Sequence, residues 1–182
     1  MAYVITSNSY YEIFSLPVDW NVDRLVLDRR YHQLQQEFHP DRFAARSDVD
    51  KRLAVQTASF INDAYDTLIT PIKRAQYLLQ LDGVESDQER HITTDTSFLM
   101  QQIELREELD DLQQKDKASQ AALSALEALK ERAHATYNDL QTQFNTFYAA
   151  RQQSSASEAI AKMQFFAKFL EQIELLEEQL DG

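Results

Sequence analysis

The stretch "RLVLDRRYHQLQQEFHPDRF", residues 24–43, decides how this chain is read. Leu27, Tyr31, Leu34 and Phe38 recur at steps of four, three and four, which is one face of an α-helix running from about Val22 to Phe38. Pro40 ends that pattern, because a proline cannot donate its backbone hydrogen bond and disfavours helical geometry in the residue before it. A second amphipathic pattern begins near Asp48 or Asp50, with Leu53, Phe60, Ile61, Ala64, Tyr65 and Leu68 as its apolar stripe. Between the two helices stands a stiffened corner in which one proline separates two ionisable side chains, His39 and Asp41.

Working outward, "YYEIF" predicts a short helix near Tyr10–Phe14, stopped by Leu16-Pro17. Thr70-Pro71 ends or kinks the helix that began near Asp48. "IKRAQYLLQL" continues as a further helix up to Asp82-Gly83. The polar stretch "DGVESDQERHITTDT", residues 82–96, is the best boundary candidate, because it holds the only internal glycine. Beyond it lie three long helical patterns free of proline, at 96–114, 118–150 and 157–180. In the middle one Leu123, Leu126, Ala133, Tyr137, Leu140, Phe144 and Tyr148 share a side. Three such helices joined by short loops read as an antiparallel bundle. The expected domains are therefore 1–81, a connecting stretch at 82–96, and a three-helix bundle at 97–182.

Composition agrees with an all-α chain. Only 2 glycines and 3 prolines occur in 182 residues, whereas sheets and tight turns consume glycine. Hydrophobic residues at 43% and charged residues at 26% are ordinary for a globular protein, and the length suffices for a buried core. There is no cysteine, which excludes disulfides, a thiol nucleophile and thiolate metal sites within this chain, and fits a cytoplasmic protein. No apolar run reaches the ~20 residues of a membrane span, and "MAYVITSNSYYEIF" lacks the basic and apolar regions of a secretory signal. The net charge of −12 is uneven: residues 1–90 carry 10 Lys and Arg against 14 Asp and Glu, residues 91–182 carry 8 against 16. Nucleic acid and anionic membranes are therefore not expected partners, whereas basic or apolar protein surfaces are.

Two readings of His39-Pro40-Asp41 compete on local chemistry. One is a helix stop with incidental polar neighbours. The other is a docking corner. No nucleophile stands beside His39, and His32 lies two helical turns back with no acidic residue completing a cluster, so neither catalysis nor metal binding is supported. Opposite the apolar stripe, Arg29, His32, Gln33 and Gln36 form a basic to neutral face, flanked by Arg24 and Arg30, that leads into the corner. Asp41, on a backbone stiffened by Pro40, can present its carboxylate in a set direction, which suits docking.

"YYEIFSLP" (10–17), "FHPDRF" (38–43) and "INDAYDTLITPIKRAQYLL" (61–79) together resemble a J-domain, the module by which DnaJ-type co-chaperones stimulate a DnaK-type chaperone ATPase. The resemblance implies an antiparallel helical hairpin capped by the His-Pro-Asp loop. It implies chaperone contacts at His39, Pro40 and Asp41, with Arg29, His32, Gln33 and Gln36 on the helix face. Many J-domains carry a denser Lys/Arg face than this one. That implies weaker electrostatic steering and a dedicated chaperone partner rather than a general one.

The segment "DTSFLMQQIELREELDD", 95–111, carries a second surface. On a helical projection Phe98, Leu105, Leu109 and Leu112 share the face that must pack on the bundle. Leu99, Met100 and Ile103 lie on the other side, beside Glu104, Glu107 and Asp111. A surface helix ordinarily has one apolar stripe, so a second, carboxylate-edged spot is either a binding site or the seam between two domains. Methionine suits a binding site because its side chain adapts to the partner. A J-domain followed by "FLMQQIELREEL" and an acidic three-helix tail ending "FFAKFLEQIELLEEQL" resembles the HscB family of iron–sulfur co-chaperones across essentially the whole chain. The resemblance implies recruitment of the chaperone HscA through the J-domain and of the cluster scaffold IscU through the bundle. The implied scaffold contacts are Leu99, Met100, Ile103, Glu104, Glu107 and Asp111, with Phe165 projecting off the centre of the last helix's core stripe. It implies no resident cofactor or metal and no catalysis by the chain itself. Some eukaryotic relatives carry an N-terminal cysteine-based module, and this cysteine-free chain resembles the bacterial form. The alternatives are a J-domain protein for another client, with the bundle as a general adaptor or dimerisation module, and an enzyme using His39 and Asp41 as acid and base. Against the enzyme, helical bundles usually catalyse with Glu and His clustered in the core, and the pattern shows none.

Overall fold

The computed structural model describes residues 9–43, 46–84, 95–114 and 120–181, and over these the protein is all-α. The elements are α1 (Tyr10–Ile13), α2 (Arg24–Glu37), a 3-10 turn (Pro40–Phe43), α3 (Asp48–Ile69), α4 (Pro71–Leu81), α5 (Thr96–Gln114), α6 (Gln120–Ala149) and α7 (Gln153–Asp181). They form two compact units, Met1–Gly83 and Val84–Gly182. Most of the 82–96 stretch expected to connect two domains lies outside the described residues, at 85–94.

In the first unit each helix starts and stops for a local reason. The carboxylate of Asp23 accepts from the Val26 amide and caps α2, and the Ser47 hydroxyl does the same for α3 through the Asp50 amide. Thr70 ends α3 in an extended conformation, and Pro71 opens α4 at the position where a missing amide proton costs nothing. Two stops differ from expectation. The first helix ends at Ile13, ahead of Leu16-Pro17, because Ser15 turns into the left-handed region at φ 55 and the amides of Ser15 and Leu16 return to Glu12 and Tyr11. Likewise α2 ends at Glu37, three residues before Pro40, with Phe38 as its C-cap. After α4, Gly83 takes φ +77, a conformation that glycine adopts without a side-chain clash.

The core of this unit is Tyr11, Phe14, Leu27, Ile61, Ala64, Leu68, Ala75 and Leu78, all with 0% exposure. Tyr31 and Leu34, expected on the same stripe as Leu27 and Phe38, are half-buried, Tyr31 at the edge where α2 meets α3. There the side chains tie the helices polar group to polar group. The Tyr65 hydroxyl donates to Asp28 at 2.8 Å, the Tyr31 hydroxyl to Asn62 at 3.1 Å, and the Gln35 amide to Asn62 at 3.0 Å. Tyr31 and Tyr65 stack with centroids 3.9 Å apart. Partners that ascend α2 while descending or holding position along α3 establish an antiparallel hairpin. Its bond to Asp28 raises the pKa of the Tyr65 hydroxyl, with burial adding to the effect.

The second unit is an up-down-up bundle in which α6 and α7 make the main seam. Its core is Leu126, Leu129, Ala133, Phe144, Ala156, Met163, Phe166, Phe169 and Ile173. Helix α7 starts at Gln153, four residues earlier than its pattern predicts. Arg151, at φ 58, reverses the chain immediately after α6, and the serine-bearing first turn packs inward through Ala156 and Ser157. Lys130 of α6 donates to Glu177 of α7 at 2.6 Å, and that bond raises the pKa of its ammonium. Among the described residues no helix is long and apolar enough to cross a membrane.

Candidate binding surfaces

The corner between α2 and α3 is built by backbone turns that leave the His39 and Asp41 side chains outside. The Arg42 amide donates to the His39 carbonyl at 3.0 Å, closing the 3-10 turn, and the Arg46 amide donates to the Phe43 carbonyl at 2.9 Å. Phe38, buried at 9% exposure, anchors the turn to the core. Within the turn the Asp41 amide donates to His39 Nδ1 at 3.3 Å, and the Asp41 carboxylate lies 3.6 Å from the same nitrogen. That carboxylate is 90% exposed and the imidazole 57%, so neither is consumed by the fold.

Arg29, His32, Gln33 and Gln36 are all exposed and fall on one side of α2. His32, Gln36 and His39 line one hollow of about 410 Å³ with Gln35 and Arg42, while Arg29 and Gln33 lie outside it. Arg42 is the residue that pattern reading passed over. Its guanidinium donates to the Gln36 carbonyl at 3.0 Å, near the open end of α2, and ties the turn to the helix it follows. Its place three residues after His39, inside "FHPDRF", is the available signal. Arg24 does not flank this face. It pairs with Asp28 at 3.8 Å, on the side of α2 that meets Tyr65.

The second surface lies on α5. Phe98 and Leu112 are buried, Leu105 and Leu109 half-buried, and these four hold α5 to the bundle. Leu99, Met100 and Ile103 are exposed at 41%, 54% and 50%, and Glu104, Glu107 and Asp111 are exposed beside them. Phe165 is half-buried, 5.6 Å from Phe98 edge-to-face, with the Arg106 guanidinium 5.6 Å from its ring centroid. Arg106 sits one turn beyond Ile103, so Phe165 borders the Leu99–Ile103 flank of α5. Met100, Glu104, Glu107 and Asp111 point farther round, away from α7.

The start of α5 is fastened tightly. The Asp95 carboxylate accepts from the amides of Ser97 and Phe98, each at 3.1 Å, and from Lys162 Nζ at 2.7 Å. Lys162 also meets Glu158 at 3.0 Å and lies 5.2 Å from the Phe98 ring centroid. The Lys162 bond, then Ser97 and the Phe98 amide, hold the Asp95 carboxyl well below the usual carboxylate range. Burial alone would depress the Lys162 ammonium, but its bonds to Asp95 and Glu158 outweigh that and push it up. On the other side of α5, Glu108 pairs with Arg132 of α6. Among the described residues no three His, Asp or Glu side chains gather into a metal-binding group.

Residues 94–174 match the family model described as the HSCB C-terminal oligomerisation domain. The co-chaperone protein HscB homolog of Vibrio vulnificus strain YJ016 is 39% identical over 174 residues, covering 96% of this chain and 99% of the relative. The homolog of Vibrio cholerae O395 is 38% identical over the same coverage. Among solved structures, the chaperone HscB from Vibrio cholerae superposes with a TM-score of 0.84 at 38% identity, over 94% of this chain and 99% of that one. The human co-chaperone HscB gives 0.84 at 28%, over 96% and 84%. The Jac1 co-chaperone from Saccharomyces cerevisiae, at 20% identity and 0.71, shares the fold. A His-Pro-Asp-capped hairpin ahead of an acidic helical bundle defines a J-domain co-chaperone. At 39% identity across nearly its full length, the chain belongs to the HscB co-chaperone family.

Proposed function

We propose that the protein is an adaptor that makes no and breaks no covalent bond, and that it brings an iron–sulfur cluster scaffold of the IscU type to a DnaK-type chaperone of the HscA kind. His39, Pro40 and Asp41, with Arg29, His32, Gln33 and Gln36, dock on the chaperone's ATPase and stimulate hydrolysis. Leu99, Met100, Ile103, Glu104, Glu107, Asp111 and Phe165 hold the scaffold. Tethering raises the scaffold's effective concentration at the chaperone, and ATP hydrolysis then closes the chaperone's peptide site on it. The client is an assembly protein whose cluster passes onward, so the cluster is cargo rather than a resident group.

The observation that carries this reading is the exposure of Leu99, Met100 and Ile103 on a helix whose opposite face is already spent on the core. Three large apolar side chains left half in water, rimmed by carboxylates, fit an apolar partner bearing Lys or Arg. The 90% exposed Asp41 carboxylate at a closed turn supports the chaperone half in the same way. A titration of the isotope-labelled chain tests both. The chaperone's ATPase domain should shift amide signals at 29–43 only, and the scaffold should shift those at 99–111 and 165. Shifts at the same residues with both partners would sink the two-surface reading.

A second reading keeps the J-domain but gives the bundle to self-association, as the description of the matching family model implies. Sedimentation separates the two: a mass that grows with concentration, and falls when Met100 is replaced by Ala, favours self-association.

A further inference from the structure

Helices α5 and α7 run parallel. Asp95 meets Lys162 and Phe98 meets Phe165 at one end. Towards the other end a groove of about 590 Å³ opens between them, with Leu109 and Leu176 in it and Leu175 on its α7 side. Leu175 is 58% exposed and is bracketed along α7 by three exposed carboxylates, Glu171, Glu174 and Glu178. A leucine more than half in water amid acids, on a helix that has a complete core stripe, contributes little to folding. Arg106 connects this groove to the other surface: it covers the Phe165 ring and also lines the groove beside Asp110.

We infer that the scaffold-binding surface does not stop at Phe165 but continues past Arg106 into the α5–α7 groove, where it takes an apolar side chain flanked by Lys or Arg from the same partner. This rests on the scaffold reading given above and extends it. Charge selects the occupant. Inside the groove Arg106 and Asp110 balance, so Glu171, Glu174 and Glu178 along its α7 side set the sign as acidic, in a half of the chain carrying 16 acidic against 8 basic residues. A second copy of the chain would bring like charge against like, whereas a basic segment gains from the glutamates of the α7 rim. Gln113 on one wall and Gln172 and Gln179 on the other offer amide donors and acceptors to the backbone of such a segment.

The test measures scaffold affinity by calorimetry on the full chain, for wild type, Leu175→Ser, Asp110→Lys and the double variant Leu99→Ala/Met100→Ala. Leu175→Ser should weaken binding roughly fivefold, as expected for losing one half-exposed apolar contact. Asp110→Lys should weaken it further at low salt than at high salt, and neither should move the melting temperature. If the double variant weakens binding while both groove variants bind like wild type, the extension is wrong and the scaffold reading stands. If none of the variants weakens binding, both fall. If Leu175→Ser leaves scaffold affinity intact but changes the sedimentation of the chain alone, the groove belongs to a second copy and the inference is overturned.

Discussion

Replacing Leu99 and Met100 together by alanine separates binding from folding more cleanly than any other change in the bundle. Fully burying a leucine or methionine side chain contributes ~1.5–3 kcal/mol. Here 41% of Leu99 and 54% of Met100 remain in water, so roughly half of that gain is still available to a partner. The pair should therefore supply about 1.5–3 kcal/mol, or roughly a 10- to 100-fold loss of scaffold affinity on truncation. For a complex near micromolar, about −8 kcal/mol, that moves binding to the edge of detection. The core beneath is untouched, because Phe98, Leu105, Leu109 and Leu112 do the packing, and surface changes usually stay within about 0.5 kcal/mol. Calorimetric titration against the scaffold, with a thermal melt and a chaperone ATPase assay on the same samples, gives all three numbers. Affinity should fall, the melt should hold, basal J-domain stimulation should persist, and the extra stimulation from scaffold should vanish. Unchanged affinity with an intact fold would refute the assignment of this patch. A collapsed melt would refute the claim that these side chains are spare.

Asp41→Asn keeps the turn's size but removes its exposed charge, so chaperone stimulation should drop at least tenfold in a steady-state ATPase assay while scaffold affinity stays within twofold. Phe166→Ala opens a void where three aromatic rings meet and should cost about 3–5 kcal/mol, read as a drop in melting temperature of ~15 °C or more. The Asp95–Lys162 pair sets a pH window. The carboxyl's folded pKa is depressed, so its contribution is complete above the unfolded value of about 3.9 and is lost as pH falls through the folded value. The ammonium's folded pKa is raised, so its contribution is complete below about 10.4 and is lost as pH climbs through the folded value. Amide exchange at Ser97–Met100 should thus stay slow from about pH 4 to pH 10 relative to Asp95→Asn, which keeps the helix cap and loses the ion pair. Equal exchange in both proteins would show that the pair does not hold α5.

Periodicity made the helices legible, because amphipathic faces repeat whether or not their partners are known. It failed at the edges of stripes and where the deciding group was polar. Ala122 and Leu129 belong to the α6 core with Leu126 and Ala133, but alanines blur the edge of a stripe, and Leu123, Tyr137 and Tyr148, read as core, sit half-exposed beside it. The start of α7 was hidden because Gln153, Ser154 and Ser155 carry no apolar signal, although Arg151 completes the reversal two residues earlier. The α5 patch was readable because one helix carried two apolar faces and only one could be buried. The ties around it were not. Lys162 lies 67 residues from Asp95 in the chain, and Arg106 reaches Phe165 across a helix gap, so no local spacing announces either contact. Arg42 escaped for the opposite reason, since its bond to Gln36 is short-range but serves the turn rather than a stripe.

Single-turnover ATP hydrolysis by the chaperone, with and without the scaffold, measures most directly whether the two surfaces act together. With wild-type protein, scaffold and adaptor combined should accelerate hydrolysis beyond the product of their separate effects. Asp41→Asn should abolish the acceleration whether scaffold is present or not, and Leu99→Ala/Met100→Ala should leave only the part that needs no scaffold. Full acceleration by Asp41→Asn, or a scaffold effect undiminished in the double variant, would contradict an adaptor that grips one protein at its corner and another on α5.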